Sequence, residues 1–133
     1  MSILVGYVPS PVGEAAAEAA IAEAKLRGEE LLIVNSSRKG ALVEKMVASP
    51  ADLKRLAEAS TAAGVKATVL QPTHTDDLAE EILDLARAHD VSLIVIGLRQ
   101  RSQVGKFIMG SSAQRILLQA DRPVLAVKPA QAG

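Results

Sequence analysis

The sequence predicts an α/β fold, an open, doubly wound, five-stranded parallel sheet with helices on both faces. Short, almost continuous apolar runs alternate with helical segments along the chain, and such runs are typical of strands buried on both faces. Residues 1–133 are most simply one domain, because neither a repeat nor a low-complexity linker indicates a second. Ligands of such folds bind beyond the carboxyl ends of the strands, where the strand order reverses. The loops after the first and fourth strands are therefore the expected site.

Five apolar runs are predicted as strands, at residues 3–8, 31–34, 67–70, 91–96 and 123–127. Pro9 and Pro11 end the first of them, since proline cannot donate to a sheet. Right-handed crossovers through the intervening helices then arrange the strands in parallel.

Helical segments connect these strands. The first runs from about residue 12 to residue 27 and ends at Gly28. The second begins with Ser49 as N-cap and Pro50 at the first helical position, and it ends at Gly64. The third opens at residues 75–77. The apolar face of the third helix comprises Leu78, Ile82, Leu85 and Ala86. That of the fourth helix comprises Ala113, Ile116, Leu117 and Ala120.

Composition excludes several classes of function. The chain has no cysteine, which rules out disulfides, thiolate catalysis and cysteine-based metal sites. Its 15 basic and 15 acidic residues balance and only 2% of residues are aromatic, so a general nucleic-acid binder is not expected. No apolar run approaches the ~20 residues that span a bilayer, and the amino end does not resemble a signal peptide. We expect a cytoplasmic protein that binds neither membranes nor nucleic acid.

The segment from residue 95 to residue 112 has the composition of a phosphate-binding loop. An apolar run ends at Gly97, a basic loop follows, and Gly110 precedes Ser111 and Ser112 at the start of a helix. Gly97 is expected to leave the strand in a backbone conformation closed to other residues, and Gly110 to let a ligand approach the backbone closely. Alternatively, Gly97 only ends a strand and Ser111 only caps a helix.

This segment resembles the nucleotide-binding signature of the universal stress proteins. The signature is glycine, two residues, glycine, nine residues, glycine, then serine or threonine, and Gly97, Gly110 and Ser111 have that spacing. Residues 114–117 and 122–127 also resemble the last helix and strand of the family. The resemblance implies a Rossmann-like fold of the adenine nucleotide alpha hydrolase type, a role in stress response or signalling, and ATP or AMP as ligand, with or without Mg²⁺. It further implies a homodimer through the fifth strand, at Val124, Leu125, Ala126 and Val127.

The resemblance also implies a set of ligand-binding residues. Tyr7, Val8 and Val34 would line the adenine and ribose side of the site. The sugar and first phosphates would be bordered by Ile96, Gly97, Arg99 and Gln100, and the remaining phosphates by Gly110, Ser111, Ser112 and Ala113. Arg99, Arg101 and Lys106 add positive charge to the loop. Residues 35–39 either close over the adenine or form a plain polar loop.

Two positions depart from the family pattern. Gln100 replaces the second signature glycine, and Val8 stands where ATP-binding members have an acidic residue. Loss of one ligand-pairing group costs about 1–3 kcal/mol, so weak binding is expected rather than none. The alternative is a dimeric interaction protein whose pocket is degraded.

No residue is predicted to be catalytic, and we expect no enzyme beyond slow ATP hydrolysis. His74 and His89 lack metal-ligand spacing, and no metal site is expected. Asp76 and Asp77 are expected at the acidic start of the third helix, with Glu80 and Glu81 on its solvated face.

Overall fold

The computed structural model describes residues 1–35, 48–71, 78–98 and 111–129. Its elements, in chain order, are β1 (Ser2–Gly6), α1 (Pro11–Arg27), β2 (Glu30–Val34), α2 (Pro50–Ala62), β3 (Ala67–Leu70), α3 (Leu78–Ala88), β4 (Leu93–Gly97), α4 (Ser111–Gln119) and β5 (Val124–Val127).

The strands form one parallel sheet in the order β3-β2-β1-β4-β5. Helices α1 and α2 cover one face, and α3 and α4 cover the other. The predicted fold class is therefore confirmed, and every predicted strand is present with bounds that differ by at most two residues. The strand order reverses between β1 and β4, which places a crevice at their carboxyl ends.

The helix ends follow the local signals in the sequence. The Ser10 hydroxyl accepts a hydrogen bond from the Gly13 amide at 3.1 Å and caps α1, whose other end is closed by Gly28 at φ 67°. Ser49 and Asp52 form a reciprocal capping box at the start of α2. The predicted start of α3, at residues 75–77, lies outside the described residues.

Alternate residues of the central strands belong to two apolar clusters, one on each face of the sheet. Ile3, Val5, Ile33 and Val95 pack beneath α1 and α2, where the buried face of α1 consists of Ala16, Ala17, Ala20 and Ala24. Leu4, Leu32, Ile94 and Ile96 pack beneath α3 and α4 against Ile82 and Ile116. Because alanine side chains are short, α1 can lie close against the strands.

The expectation that Glu80 and Glu81 share a solvated face was wrong for Glu81. Glu80 is exposed, but Glu81 is only 2% exposed. Helix α3 packs against α4 as well as against the sheet, so it buries a wider surface than the stripe formed by Leu78, Ile82 and Leu85.

The first turn of α1 contacts the ends of β1 and β4 directly. A Cβ atom added to Gly13 would lie 1.7 Å from the Val8 carbonyl oxygen. A Cβ added to Gly97 would lie 2.4 Å from Val12 Cγ1 and 2.8 Å from the Val12 carbonyl oxygen. Both glycines are therefore required by close packing of backbone on backbone.

We predict that Gly13→Ala lowers the free energy of unfolding by roughly 3 kcal/mol, because the new methyl group meets backbone that cannot move aside. Gly6→Ala is the matched control, since its Cβ would meet only the flexible end of Ile82, at 2.8 Å. We expect that variant to lose about 1 kcal/mol or less. Urea denaturation of both variants measures the difference, and equal losses would contradict this account of Gly13.

Candidate functional site

The candidate site is the crevice at the carboxyl ends of β1 and β4. Its described walls are the loop from Tyr7 to Ser10, the end of β4 at Gly97, and the start of α4 at Ser111. Three residues of the implied ligand set, Arg99, Gln100 and Gly110, lie outside the described residues, as do Arg101, Lys106 and residues 36–39.

The ring of Tyr7 packs in the core beneath α1 and is 1% exposed. Its backbone is held as well, because the Tyr7 amide donates to the Val34 carbonyl at 2.8 Å. Val34 is completely buried, and Ile96 is 5% exposed. In this conformation the side chains of Tyr7, Val34 and Ile96 support the crevice from below and do not form its surface.

Val8 and Gly97 are the half-buried members of the implied set on the strand side. Val8 offers an apolar side chain, and its carbonyl lies against Gly13. The expected backbone role of Gly97 was wrong. Among the described glycines only Gly28 and Gly64 have positive φ, so Gly97 is required by its contact with Val12 rather than by a left-handed conformation.

A polar network beside the crevice joins Tyr7 to both helices of that face. The Tyr7 hydroxyl donates to Glu14 Oε1 at 2.7 Å, and both terminal nitrogens of Arg55 also donate to the Glu14 carboxylate. The hydrogen bond to Glu14 raises the pKa of the Arg55 guanidinium. Burial, followed by the hydrogen bond and negative charge of Glu14, raises the pKa of Tyr7 to about 12. The carboxylate of Glu14, on α1, therefore connects this helix to Arg55 of α2 and to Tyr7 in the loop after β1.

Asn35 is a residue whose importance the sequence did not reveal. It follows β2 directly and is completely buried. Its side-chain amide donates to the Tyr7 carbonyl at 2.9 Å, while its Oδ1 accepts from the Ala48 amide and from Gln71 Nε2, each at 3.0 Å. A polar residue directly after a buried apolar strand was the available signal. Asn35 is part of the support of the site and not of a surface loop.

The start of α4 has the properties of an anion site. The helix begins at Ser111, followed by Ser112 and Ala113, both half-buried, and its first turn carries no acidic residue. The first turns of α1 and α2 differ, because they contain Glu14 and Asp52. Unpaired amides and the helix dipole favour negative charge at such an end.

Among residues 1–35, 48–71, 78–98 and 111–129 there is no group of three or more histidine or acidic side chains that could hold a metal ion. None of the helices in those ranges is both long and apolar enough to cross a membrane.

A family model described as the universal stress protein family matches residues 1–128. A universal stress protein of Mycolicibacterium smegmatis is 41% identical over 127 residues, which cover 96% of this chain and 97% of that protein. The structure of a universal stress protein from Archaeoglobus fulgidus superimposes with a TM-score of 0.81 at 30% identity, covering 96% of this chain and 98% of the other. A universal stress protein structure from Archaeoglobus fulgidus in complex with dAMP has a TM-score of 0.72 at 23% identity, covering 96% and 98% of the two chains.

We predict that the absorbance of ionised tyrosine in the native protein titrates with a midpoint near pH 12, against pH 10 in denaturant. Tyr7 is the single tyrosine of the chain, so the signal is unambiguous. Because the pKa is raised in the folded state, the stability that Tyr7 contributes is complete below pH 10 and is lost as the pH rises toward 12.

Glu14→Gln is the control for the cause of this shift. It should lower the midpoint while leaving it above 10, because burial, the largest single cause of the raised pKa, remains. A native midpoint near 10 in the unmodified protein would show that the Tyr7 ring is not buried in solution.

Proposed function

Because this chain belongs to the universal stress protein family, we propose that it binds an adenine nucleotide, ATP or AMP, in the crevice between the ends of β1 and β4. The observation that carries the proposal is the start of α4, an N-terminal turn without acidic residues at the point where the strand order reverses. The dAMP complex of the Archaeoglobus fulgidus protein supports the choice of ligand class.

We assign the phosphates to the α4 end of the crevice. Backbone amides and hydroxyls of Ser111, Ser112 and Ala113 would contact them, and Gly110 would admit them to the backbone. Arg99 and Gln100 are assigned to the first phosphates on the signature spacing. A Mg²⁺ ion is proposed to accompany ATP on its triphosphate.

The adenosine is assigned to the β1 side. The buried side chains of Tyr7, Val34 and Ile96 would form the support beneath it, and Val8 would be its apolar contact. The carboxylate on this side, Glu14, is occupied by Tyr7 and Arg55 and is not placed to act as a general base. We therefore propose binding without a dedicated catalytic step, in stress response or signalling in the cytoplasm, where ATP and AMP are abundant.

A second candidate is a dimeric interaction protein with a degraded pocket. Val8 favours it, because an apolar side chain at the end of β1 cannot pair with a polar group of the ligand. Calorimetric titration with ATP and with AMP separates the two functions. The absence of binding by both nucleotides at millimolar concentration would favour the second.

We predict that Gly110→Val weakens binding of ATP and AMP at least tenfold without loss of the fold, because a branched side chain fills the space where phosphate meets backbone. Gln114→Val is the matched control. It places the same side chain on an exposed position of α4, one turn further along the helix, and should leave affinity within about twofold. Unchanged affinity in folded Gly110→Val would remove the phosphates from this loop.

The edge strand β5 supports the proposed homodimer. All four of its residues are half-buried, and within the described residues it pairs with β4 alone. The Pro123 carbonyl accepts from the Ile94 amide at 3.0 Å, and the Val127 carbonyl accepts from the Leu98 amide at 2.8 Å. The backbone groups of residues 123, 125 and 127 therefore face β4. Residues 124 and 126 therefore direct their backbone groups to the free edge, where a second copy can pair.

We predict that the protein sediments as a dimer at micromolar concentration and that Ala126→Pro is a folded monomer. Proline at residue 126 removes an amide from the free edge and leaves the β4 pairing intact. Leu125→Pro is the control, since it removes an amide that faces β4 and should destabilise the sheet itself. A monomeric unmodified protein would contradict the proposed pairing.

A further inference from the structure

The side chain of Asn35 connects three separate parts of the carboxyl edge of the sheet. Its amide nitrogen donates to the carbonyl of Tyr7, where the loop after β1 begins. Its oxygen accepts from the Ala48 amide, just before α2, and from the side chain of Gln71, just after β3. These contacts span 28, 13 and 36 residues of sequence, so no local element could replace them.

The loop from Tyr7 to Ser10 is thereby fixed at both ends. At one end Asn35 holds the Tyr7 carbonyl, while the Tyr7 amide and hydroxyl donate to Val34 and Glu14. At the other end Ser10 caps α1, and Gly13 packs against the Val8 carbonyl. This loop is the β1 wall of the crevice, so its conformation determines the shape available to a ligand.

We infer that Asn35 is a positioning residue of the site: it sets the conformation of the Tyr7–Ser10 loop and, through that loop, the affinity for the nucleotide. The second half of this inference rests on the proposed function. Asn35 is completely buried and acts through the Tyr7 carbonyl, without touching the ligand.

The chemistry of the amide explains why asparagine fits this place. One end must donate to a carbonyl, and the other must accept from an amide and from Gln71. An ionised aspartate keeps the two accepted bonds and loses the donated one, because both of its oxygens are acceptors. With its carboxyl ionised, Asn35→Asp therefore loses the hydrogen bond to the Tyr7 carbonyl, in a side chain of almost the same shape.

The experiment measures the ¹³C chemical shift of the Tyr7 carbonyl and the nucleotide affinity of the same protein. Labelling tyrosine with ¹³C at the carbonyl gives one resonance, because the chain has one tyrosine. We expect Asn35→Asp at pH 8 to shift this resonance and to raise the Kd for ATP and for AMP at least tenfold. The two Kd values are measured by titration. Far-ultraviolet circular dichroism shows that the variant is folded.

Two controls separate positioning from stability. Ser60→Ala removes a buried hydrogen bond, from the Ser60 hydroxyl to the Leu56 carbonyl at 2.8 Å, near the opposite end of α2. It should destabilise the protein and leave both the Tyr7 resonance and the Kd unchanged. Gln71→Ala removes one accepted bond of Asn35 and should change the Kd less than threefold.

If Asn35→Asp is too unstable to study, Asn35→Ser replaces it with the same expected results. The serine side chain is neutral and too short to reach Tyr7 and Gln71 together.

The outcomes distinguish this inference from the proposed function. A shifted Tyr7 resonance with an unchanged Kd overturns the positioning role, and so does an unshifted resonance in the folded variant. If the unmodified protein binds neither ATP nor AMP, the proposed function fails. In that event a shifted resonance still supports control of the loop by Asn35, and an unshifted one overturns it.

Discussion

The close approach of α1 to the ends of β1 and β4 is the constraint on which the rest of the site depends. Gly13 lies against the Val8 carbonyl, and Gly97 lies against Val12, so the first turn of the helix sits on backbone at the point where the strand order reverses. The alanine face of α1 continues this close packing along the sheet. Because packed interiors have little free space, neither contact leaves room for a side chain.

Polar contacts then fix the positions of α1, α2 and the loop after β1 relative to one another. Glu14 joins Tyr7 to Arg55 and so relates α1 to α2, while Asn35 joins the loop after β1 to the residues that precede α2 and follow β3. Tyr7 belongs to both sets of contacts. Tyr7 and Asn35 are buried, and buried polar groups specify one arrangement when every partner is present. The loop on the β1 side of the crevice is therefore held by Tyr7 and Asn35, which are themselves buried.

The sequence predicted what depends on local order. Strand runs, the Ser49 N-cap with Pro50 after it and the glycine after α1 are short-range signals, and the structure confirms each of them. Residues whose surroundings come from distant parts of the chain could not be placed in the same way. Gly97 contacts Val12, and Asn35 contacts Tyr7, Ala48 and Gln71. The burial of Glu81 likewise was not evident from its place in an acidic stretch of sequence. The family signature predicts where the site lies, but periodicity gave no means of deciding which of its residues are exposed and which are buried.

Arg122 joins the start of the edge strand to the end of α3 by hydrogen bonds, in addition to the apolar packing of Val124 and Ala126 on that side of the sheet. It precedes β5, yet its Nη1 donates to the carbonyls of Ala86 and Val91, at 2.9 and 3.0 Å, at the end of α3. Detachment of β5 would withdraw this guanidinium from both carbonyls, although the Ala86 carbonyl would keep its hydrogen bond from the Val91 amide, at 3.1 Å. The hydrogen bonds of Arg122 therefore couple the start of the edge strand to the chain that follows α3. Opening of the edge, the step that exposes a sheet to mispairing, would break contacts that lie away from the edge itself.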